Sequence, residues 1–180
     1  MVIFFFKENT NMEAIYAIDS NYGLSQKGNI PWKCKKDMIF FKNKTKYNIV
    51  IMGRNTYFSL LTPLENRLNI VLTKNPHLYS DEMKKYDNVI FTDDNNIELL
   101  SIEREKYPFL QENYKIFIIG GKQIYEKFIP FCKYIWITHL KKNYSCDLFI
   151  NYDYSTDFQK EIIDENDEFI IYKYTNLCGI

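Results

Sequence analysis

The stretch AIYAIDSNYGLSQKGNIPW, residues 14–32, decides how the rest of the chain is read. Ala14 to Ile18 is a short apolar run, and Asp19-Ser20-Asn21 ends it, which predicts a buried strand. Gly23, Gly28 and Pro31 then mark an irregular loop. Beyond the loop, Lys35 to Thr45 carries Met38, Ile39 and Phe41 between lysines, the pattern of an amphipathic helix. Strand, loop and helix in that order open an α/β chain.

Outward from this segment the alternation continues. Asn48 to Met52 is a β-branched strand broken by Gly53, and Arg54 to Leu61 reads as a helix stopped by Pro63. Leu68 to Leu72 is a strand, followed by a polar loop through Asn75-Pro76. Val89 to Phe91 is strand-like, and Asn96 to Tyr107 reads as a helix with Ile97 and Leu100 on its buried side. Lys115 to Ile119 is a strand ending at Gly120-Gly121, and a helix through Gln123 to Phe128 stops at Pro130. Lys133 to Leu140, Phe158 to Ile163 and Phe169 to Tyr174 complete the strands. The last two have no helix between them, so the expected fold is α/β. Its mostly parallel mixed sheet has about eight strands, an antiparallel C-terminal edge and about four flanking helices.

With 180 residues, 46% hydrophobic and 26% charged, the chain suits one globular domain, expected over 12–180 behind an extension at 1–11. Lys and Arg number 23, as do Asp and Glu. That balance argues against nucleic-acid and membrane partners, which usually leave a basic excess. Cys34, Cys132, Cys146 and Cys178 form no CxxC pair, so reduced thiols and a cytoplasmic location are expected. His77 and His139 lack ligand-like spacing to them, and no metal is expected. The apolar run at Val2 to Phe6 is too short for a signal or membrane segment.

Two strand–glycine–helix junctions stand out, at Ile51-Met52-Gly53-Arg54-Asn55-Thr56 and at Ile118-Ile119-Gly120-Gly121-Lys122-Gln123. Glycine lets an anion approach the free backbone N–H groups of a helix start. Two such junctions in one small sheet suit a diphosphate at the carboxyl ends of strands. The GxGxxG fingerprint is absent, and either junction alone is ordinary turn chemistry.

Residues 17–32, with Asp37 five residues on, resemble the first strand, active-site loop, Pro-Trp pair and acid of the dihydrofolate reductase family. Phe41, Thr45, the 51–56 junction, Ser59, Pro63-Leu64, Arg67, the 118–121 junction, Tyr125 and Thr138-His139 match in order. The resemblance covers residues 12 to 175. It implies NADPH-dependent reduction of 7,8-dihydrofolate to 5,6,7,8-tetrahydrofolate, serving one-carbon and thymidylate metabolism. Hydride would go to C6 and a proton to N5, and antifolates such as methotrexate would bind the same cleft.

The resemblance also assigns roles. Asp37 would sit one turn before Phe41 and accept the amino-pyrimidine edge of the pteridine. Burial would raise its pKa, and a water would relay the proton. Trp32 would hold that water, and the Thr138 hydroxyl would bond the carboxylate. Ile30 would pack over the reacting rings, and Phe41 would stack on the pterin and benzoyl groups. Ser59, Leu60 and Leu64 would line the same slot, and Arg67 would clamp the glutamate α-carboxylate. Ala17, Ile18 and Ile119 would meet the pteridine, and Tyr125 would lie near the nicotinamide. For NADPH, Gly53, Arg54, Asn55 and Thr56 would form one phosphate turn. Gly120, Gly121, Lys122, Gln123 and Ile124 would form the other, with a cis bond between the two glycines. Arg54, Thr73 and Lys74 would read the 2′-phosphate, while Ala17, Leu24, Gly28, Leu72, Ile119 and Tyr125 would complete the cofactor side.

Each of these residues also has a plain explanation: a dipole partner for Asp37, core aromatics for Trp32 and Phe41, a surface charge for Arg67. Their ordered series is what favours chemistry. Leu61, Thr62, Asn66, Lys122, Gln123 and Leu148 depart from the family pattern, with Asn66 expected at positive φ where glycine is usual. A reductase of riboflavin biosynthesis would share the fold but lack the Pro31-Trp32 and Asp37 arrangement. A non-catalytic folate binder would have no reason to keep Asp37, Arg67 and Thr138 together. The chain is expected to act alone, as a monomer without a fused thymidylate synthase.

Overall fold

Isoleucine and valine dominate the runs at 49–52, 68–72 and 116–119, and such continuous apolar strands must be covered on both faces. They form the middle of the sheet. The computed structural model describes residues 12–93, 102–154 and 156–178. Its strands are β1 (Met12–Ile18), β2 (Gly23–Ser25), β3 (Ile49–Gly53), β4 (Leu68–Leu72), β5 (Val89–Thr92) and β6 (Ile116–Gly120). They continue with β7 (Tyr134–Leu140), β8 (Leu148–Phe149), β9 (Phe158–Glu165) and β10 (Phe169–Asn176). The helices are α1 (Lys35–Thr45), α2 (Arg54–Ser59), α3 (Ser80–Lys85) and α4 (Lys122–Phe128).

Eight strands form one sheet in the order β5-β4-β3-β6-β1-β7-β10-β9, and β2 pairs with β8 in a separate ribbon. Every pairing from β5 to β7 is parallel, while β7–β10 and β10–β9 are antiparallel. The mixed sheet with an antiparallel C-terminal edge is therefore as expected from the sequence. Two cores flank it. Ala14, Tyr16, Ile18, Ile51, Ile118 and Phe128 belong to one, and Ile15, Val50, Met52, Phe117, Ile119 and Trp136 to the other.

Several expectations need correction. Met38 and Ile39 are 66% and 48% exposed, so they are not the inner face of α1. Phe40 and Phe41 pack inward instead. Helix α2 stops at Ser59 rather than Leu61, because Leu60 is already extended (ψ 143) and its N–H turns back to the Tyr57 carbonyl. The predicted polar loop after Leu72 contains a 3-10 turn at Pro76–Tyr79 that runs into α3. Of the helix expected over 96–107, residues 96–101 lie outside the described residues, and only a 3-10 turn at Arg104–Lys106 follows. The extension at 1–11 also lies outside them. No helix among the described residues is long and apolar enough to cross a membrane.

Candidate active site

Side chains alternate along β1, so Ile15 and Ala17 face α1 while Tyr16 and Ile18 face away. Ala17 pairs with Thr138 across β1 and β7, which puts the Thr138 hydroxyl on the α1 side as well. Thr138 is buried, and its hydroxyl lies close enough to the Asp37 carboxyl at the start of α1 to favour the ionised form. Burial raises the Asp37 carboxyl above the ordinary aspartate range, and the nearby Thr138 hydroxyl opposes this only in part. Asp37 remains half-buried. It can therefore hold a proton and still meet a ligand.

The apolar wall beside it is built from three elements. Phe41 from α1, with Leu60 and Leu64 from the loop after α2, packs partly buried against the core that contains Ile15 and Ile119. Ser59 is exposed at the end of α2, and its hydroxyl donates to the Thr56 carbonyl. Arg67 completes the wall. It is 5% exposed, and its guanidinium carbon lies 5.9 Å from the centre of the Phe41 ring. Its Nε is buried without a hydrogen-bond partner. Burial pushes the guanidinium down, and the charge of Glu65 partly restores it. Two asparagines brace the turn that holds it: Asn69 Nδ2 donates to the Leu64 and Arg67 carbonyls at 3.0 Å each, and Asn88 Nδ2 donates to both at 3.1 Å. Asn66 takes φ 56 in this turn.

At the carboxyl ends of β3 and β6 the two glycine junctions lie side by side. The Gly120–Gly121 bond is cis, and Gly120 has φ 113. A Cβ on Gly120 would fall 3.0 Å from the Tyr125 ring, one on Gly121 3.3 Å from Thr56 Oγ1, and one on Gly53 3.2 Å from Ile124. Backbone alone fits between these side chains, so the two junctions approach closely and form a glycine cradle. Arg54 and Asn55 are exposed beside it. Arg54 Nη1 donates to the Tyr79 hydroxyl at 3.3 Å. Leu72 is buried, Thr73 half-buried and Lys74 exposed at the end of β4. Lys122 is half-buried and pairs with Glu126 at 3.6 Å, while Gln123 is exposed. Tyr125 is buried under the cradle, and its hydroxyl donates to the Ile15 carbonyl at 3.1 Å. Burial raises its phenol, with further contributions from Tyr154 and Asp37.

The loop after β1 is held by a buried carboxylate. Asp19 is 0% exposed and accepts the N–H groups of Asn21, Gly23 and Tyr144 at 2.9 Å each. Burial alone would push it up, but these backbone bonds hold it below the ordinary range. Further on, Gln26 and Asn29 exchange backbone hydrogen bonds around Lys27 and Gly28, whose φ values are 48 and 77. Positive φ at both central positions is a type I′ turn. Gly28 has open space around it. Leu24 is buried, Ile30 is 66% exposed, and Trp32 is buried against Tyr144 with ring centroids 5.6 Å apart.

Asp37, Ala17, Thr138, Phe41, Leu60, Leu64, Arg67 and Ile119 are thus brought to one side of the sheet. Ile18 is not: it packs in the opposite core with Tyr16 and Leu24. Ile15 was missed as a site residue, although the two-residue period of β1 places it beside Ala17. Tyr79 was missed because no local pattern signals its contact with Arg54. Among the described residues no group of three His, Cys, Asp or Glu side chains is placed to hold a metal.

The family model for dihydrofolate reductase matches residues 11–176. A dihydrofolate reductase of Ureaplasma parvum is 31% identical over 166 residues, covering 92% of this chain and 97% of the relative. A bifunctional dihydrofolate reductase-thymidylate synthase of Daucus carota is 34% identical over 152 residues, covering 77% of this chain, which spans only 28% of that protein. Among solved structures, dihydrofolate reductase from Enterococcus faecalis complexed with NADP(H) and RAB-propyl superposes with a TM-score of 0.68 at 26% identity. That match covers 94% of this chain and 98% of the other.

Proposed function

The chain belongs to the dihydrofolate reductase family, and on that premise we propose how its residues divide the work. The reaction is NADPH-dependent reduction of 7,8-dihydrofolate to 5,6,7,8-tetrahydrofolate. NADPH, when bound, supplies the hydride that adds to C6 of the pterin.

Asp37 binds the amino-pyrimidine edge and supplies the proton that reaches N5 through one water. The Thr138 hydroxyl holds the carboxyl against the sheet, and burial keeps it protonated to higher pH than an exposed aspartate. Trp32 orders the water. Phe41, Leu60 and Leu64 enclose the ring system and the benzoyl group, with Ala17 and Ile119 beneath. Ser59 lines the outer slot, and Ile30 covers the reacting rings. Arg67 clamps the glutamate α-carboxylate. Its buried, unpartnered Nε supports this, because an uncompensated guanidinium is costly unless a ligand completes it.

Gly53 to Thr56 and Gly120 to Ile124 would hold the cofactor's phosphates, with Arg54, Thr73 and Lys74 reading the 2′-phosphate. Leu24, Gly28, Leu72 and Tyr125 complete that side. The close approach of the two glycine junctions supports this assignment, since an added Cβ at any of the three glycines would press on a neighbouring side chain. Four free cysteines favour a reducing, cytoplasmic setting, and we place the enzyme there as a single-domain monomer that also binds antifolates.

The half-buried Asp37 carboxyl beside the Thr138 hydroxyl, on the same side of the sheet as Arg67, carries this assignment of roles. The test follows NADPH absorbance in the presence and absence of dihydrofolate. Consumption only with dihydrofolate, stopped by methotrexate and lost in Asp37→Asn, is the expected outcome. Unchanged turnover in that variant removes the role given to Asp37.

A further inference from the structure

The other end of the sheet carries a second charged pocket that the reductase chemistry does not use. Asn48 immediately precedes β3 and Lys115 immediately precedes β6, so both lie at the amino ends of parallel strands. Gly53, in the proposed cofactor cradle, is five residues beyond Asn48, a span of about 16 Å along a strand. Here the chain leaves a cavity of about 460 Å³ lined in part by Lys44, Lys46, Tyr47, Asn48, Gln111 and Lys115.

Behind the cavity lies a buried charge network. Glu13 is 2% exposed, accepts Trp136 Nε1 at 2.6 Å, and pairs with Lys115 Nζ. Lys44 Nζ stands 3.3 Å from the centre of the Trp136 ring, and Lys173 Nζ 5.8 Å from it. Lys46 lies 4.5 Å over the Tyr47 ring at the mouth. Three lysines of the lining, Lys44, Lys46 and Lys115, thus stand beside the single carboxylate of Glu13, while Lys173 has its own partner in Glu161 at 3.7 Å, and the cavity keeps a positive surplus in a chain whose formal charge is zero. No acidic side chain is among the described residues that line it. Burial and the neighbouring Lys115 and Lys173 push the Lys44 ammonium down, opposed only by Glu13.

The wall is fixed before any ligand arrives. Asn48 Oδ1 accepts Gln111 Nε2 at 2.5 Å and the Lys115 N–H at 2.8 Å, while its Nδ2 donates to the Lys44 and Lys46 carbonyls. That residue ties the end of α1 to the start of β6. Lysines are compact point charges that bind phosphate oxygens.

We propose that this pocket binds a small phosphorylated anion of at least two negative charges, of the diphosphate class. It would do so whether or not the cleft at the other end reduces dihydrofolate. The test is calorimetric titration of inorganic pyrophosphate into the full chain saturated with NADPH and methotrexate, which keeps the probe out of the cofactor cradle. Saturable one-to-one binding, weakened about ten-fold or more in Lys44→Gln and in Lys46→Gln, is expected from loss of a charge-assisted contact. Lys46 is half-buried at the mouth, so its variant keeps the test valid even if Lys44→Gln, which gives up the Trp136 contact, fails to fold. Citrate serves as the second probe, and binding tighter than pyrophosphate overturns the phosphate assignment. Absence of saturation at millimolar pyrophosphate, or wild-type affinity in Lys46→Gln, overturns the site.

Discussion

Replacing Arg67 with methionine should move binding and stability in opposite directions. The side chain is 5% exposed, and its Nε has no partner among the described residues. If the guanidinium clamps a substrate carboxylate, two charge-assisted hydrogen bonds at about 1.5–3 kcal/mol each are lost. Together that is about 3–6 kcal/mol, or ~10²–10⁴-fold in KM for dihydrofolate. Because the clamp lies far from the reacting carbons, it acts equally on ground and transition states, so kcat should change little. The ligand-free protein should gain stability, since methionine fills the space without a desolvated charge. The gain is about 1–4 kcal/mol by analogy with other buried charges replaced by apolar groups. Steady-state kinetics with dihydrofolate and urea unfolding without ligand measure the two effects. Unchanged KM, or a variant much less stable than the parent, would refute the reasoning. Arg67 would then be a structural cation.

Other consequences follow from the same contacts. Gly120→Ala must place a side chain at φ 113 and 3.0 Å from the Tyr125 ring, at a cost of about 1–3 kcal/mol. NADPH affinity by fluorescence titration should fall about ten-fold or more, with a lowered melting temperature. Glu13→Gln keeps the Trp136 bond but leaves Lys115 unpaired. It should cost about 1.5–3 kcal/mol in urea unfolding, less than a fully buried pair because Lys115 reaches solvent. The Asp37 pKa is raised on folding, so the folded state keeps its proton where the unfolded state has lost it. Stability should therefore fall as pH rises from the unfolded value of about 3.9 through the folded one. Asp37→Asn should remove that slope from pH-dependent unfolding curves.

Periodicity made the long elements legible. The strands at 68–72 and 134–140 and the helix at 35–45 are apolar or charge-patterned over enough residues to be read locally. What escaped depends on distant partners. Gly23–Ser25 and Leu148–Phe149 form a ribbon of two or three residues per strand, too short for alternation to register. Helix α3 contains one apolar residue, Met83, whose sulfur accepts the Phe91 N–H at 3.3 Å, so no hydrophobic stripe announces it. Met38 and Ile39 misled for the opposite reason. They are apolar, yet the face of α1 turned to the sheet is the one carrying Asp37, Phe40, Phe41 and Lys44. The candidate acid was found through resemblance, because an aspartate early in a lysine-rich helix looks locally like a dipole partner. Its burial and its proximity to the Thr138 hydroxyl arise only when β7 lies beside β1.

The most direct measurement is the pH profile of NADPH oxidation with dihydrofolate for the parent and Asp37→Asn. With the acid in place, the rate should fall as pH rises through the raised pKa of the Asp37 carboxyl. With asparagine there, the proton must come from solution, so turnover near neutral pH should drop by about 10²-fold or more and recover only as acid is added. Two superimposable profiles would contradict a proton-supplying role for Asp37.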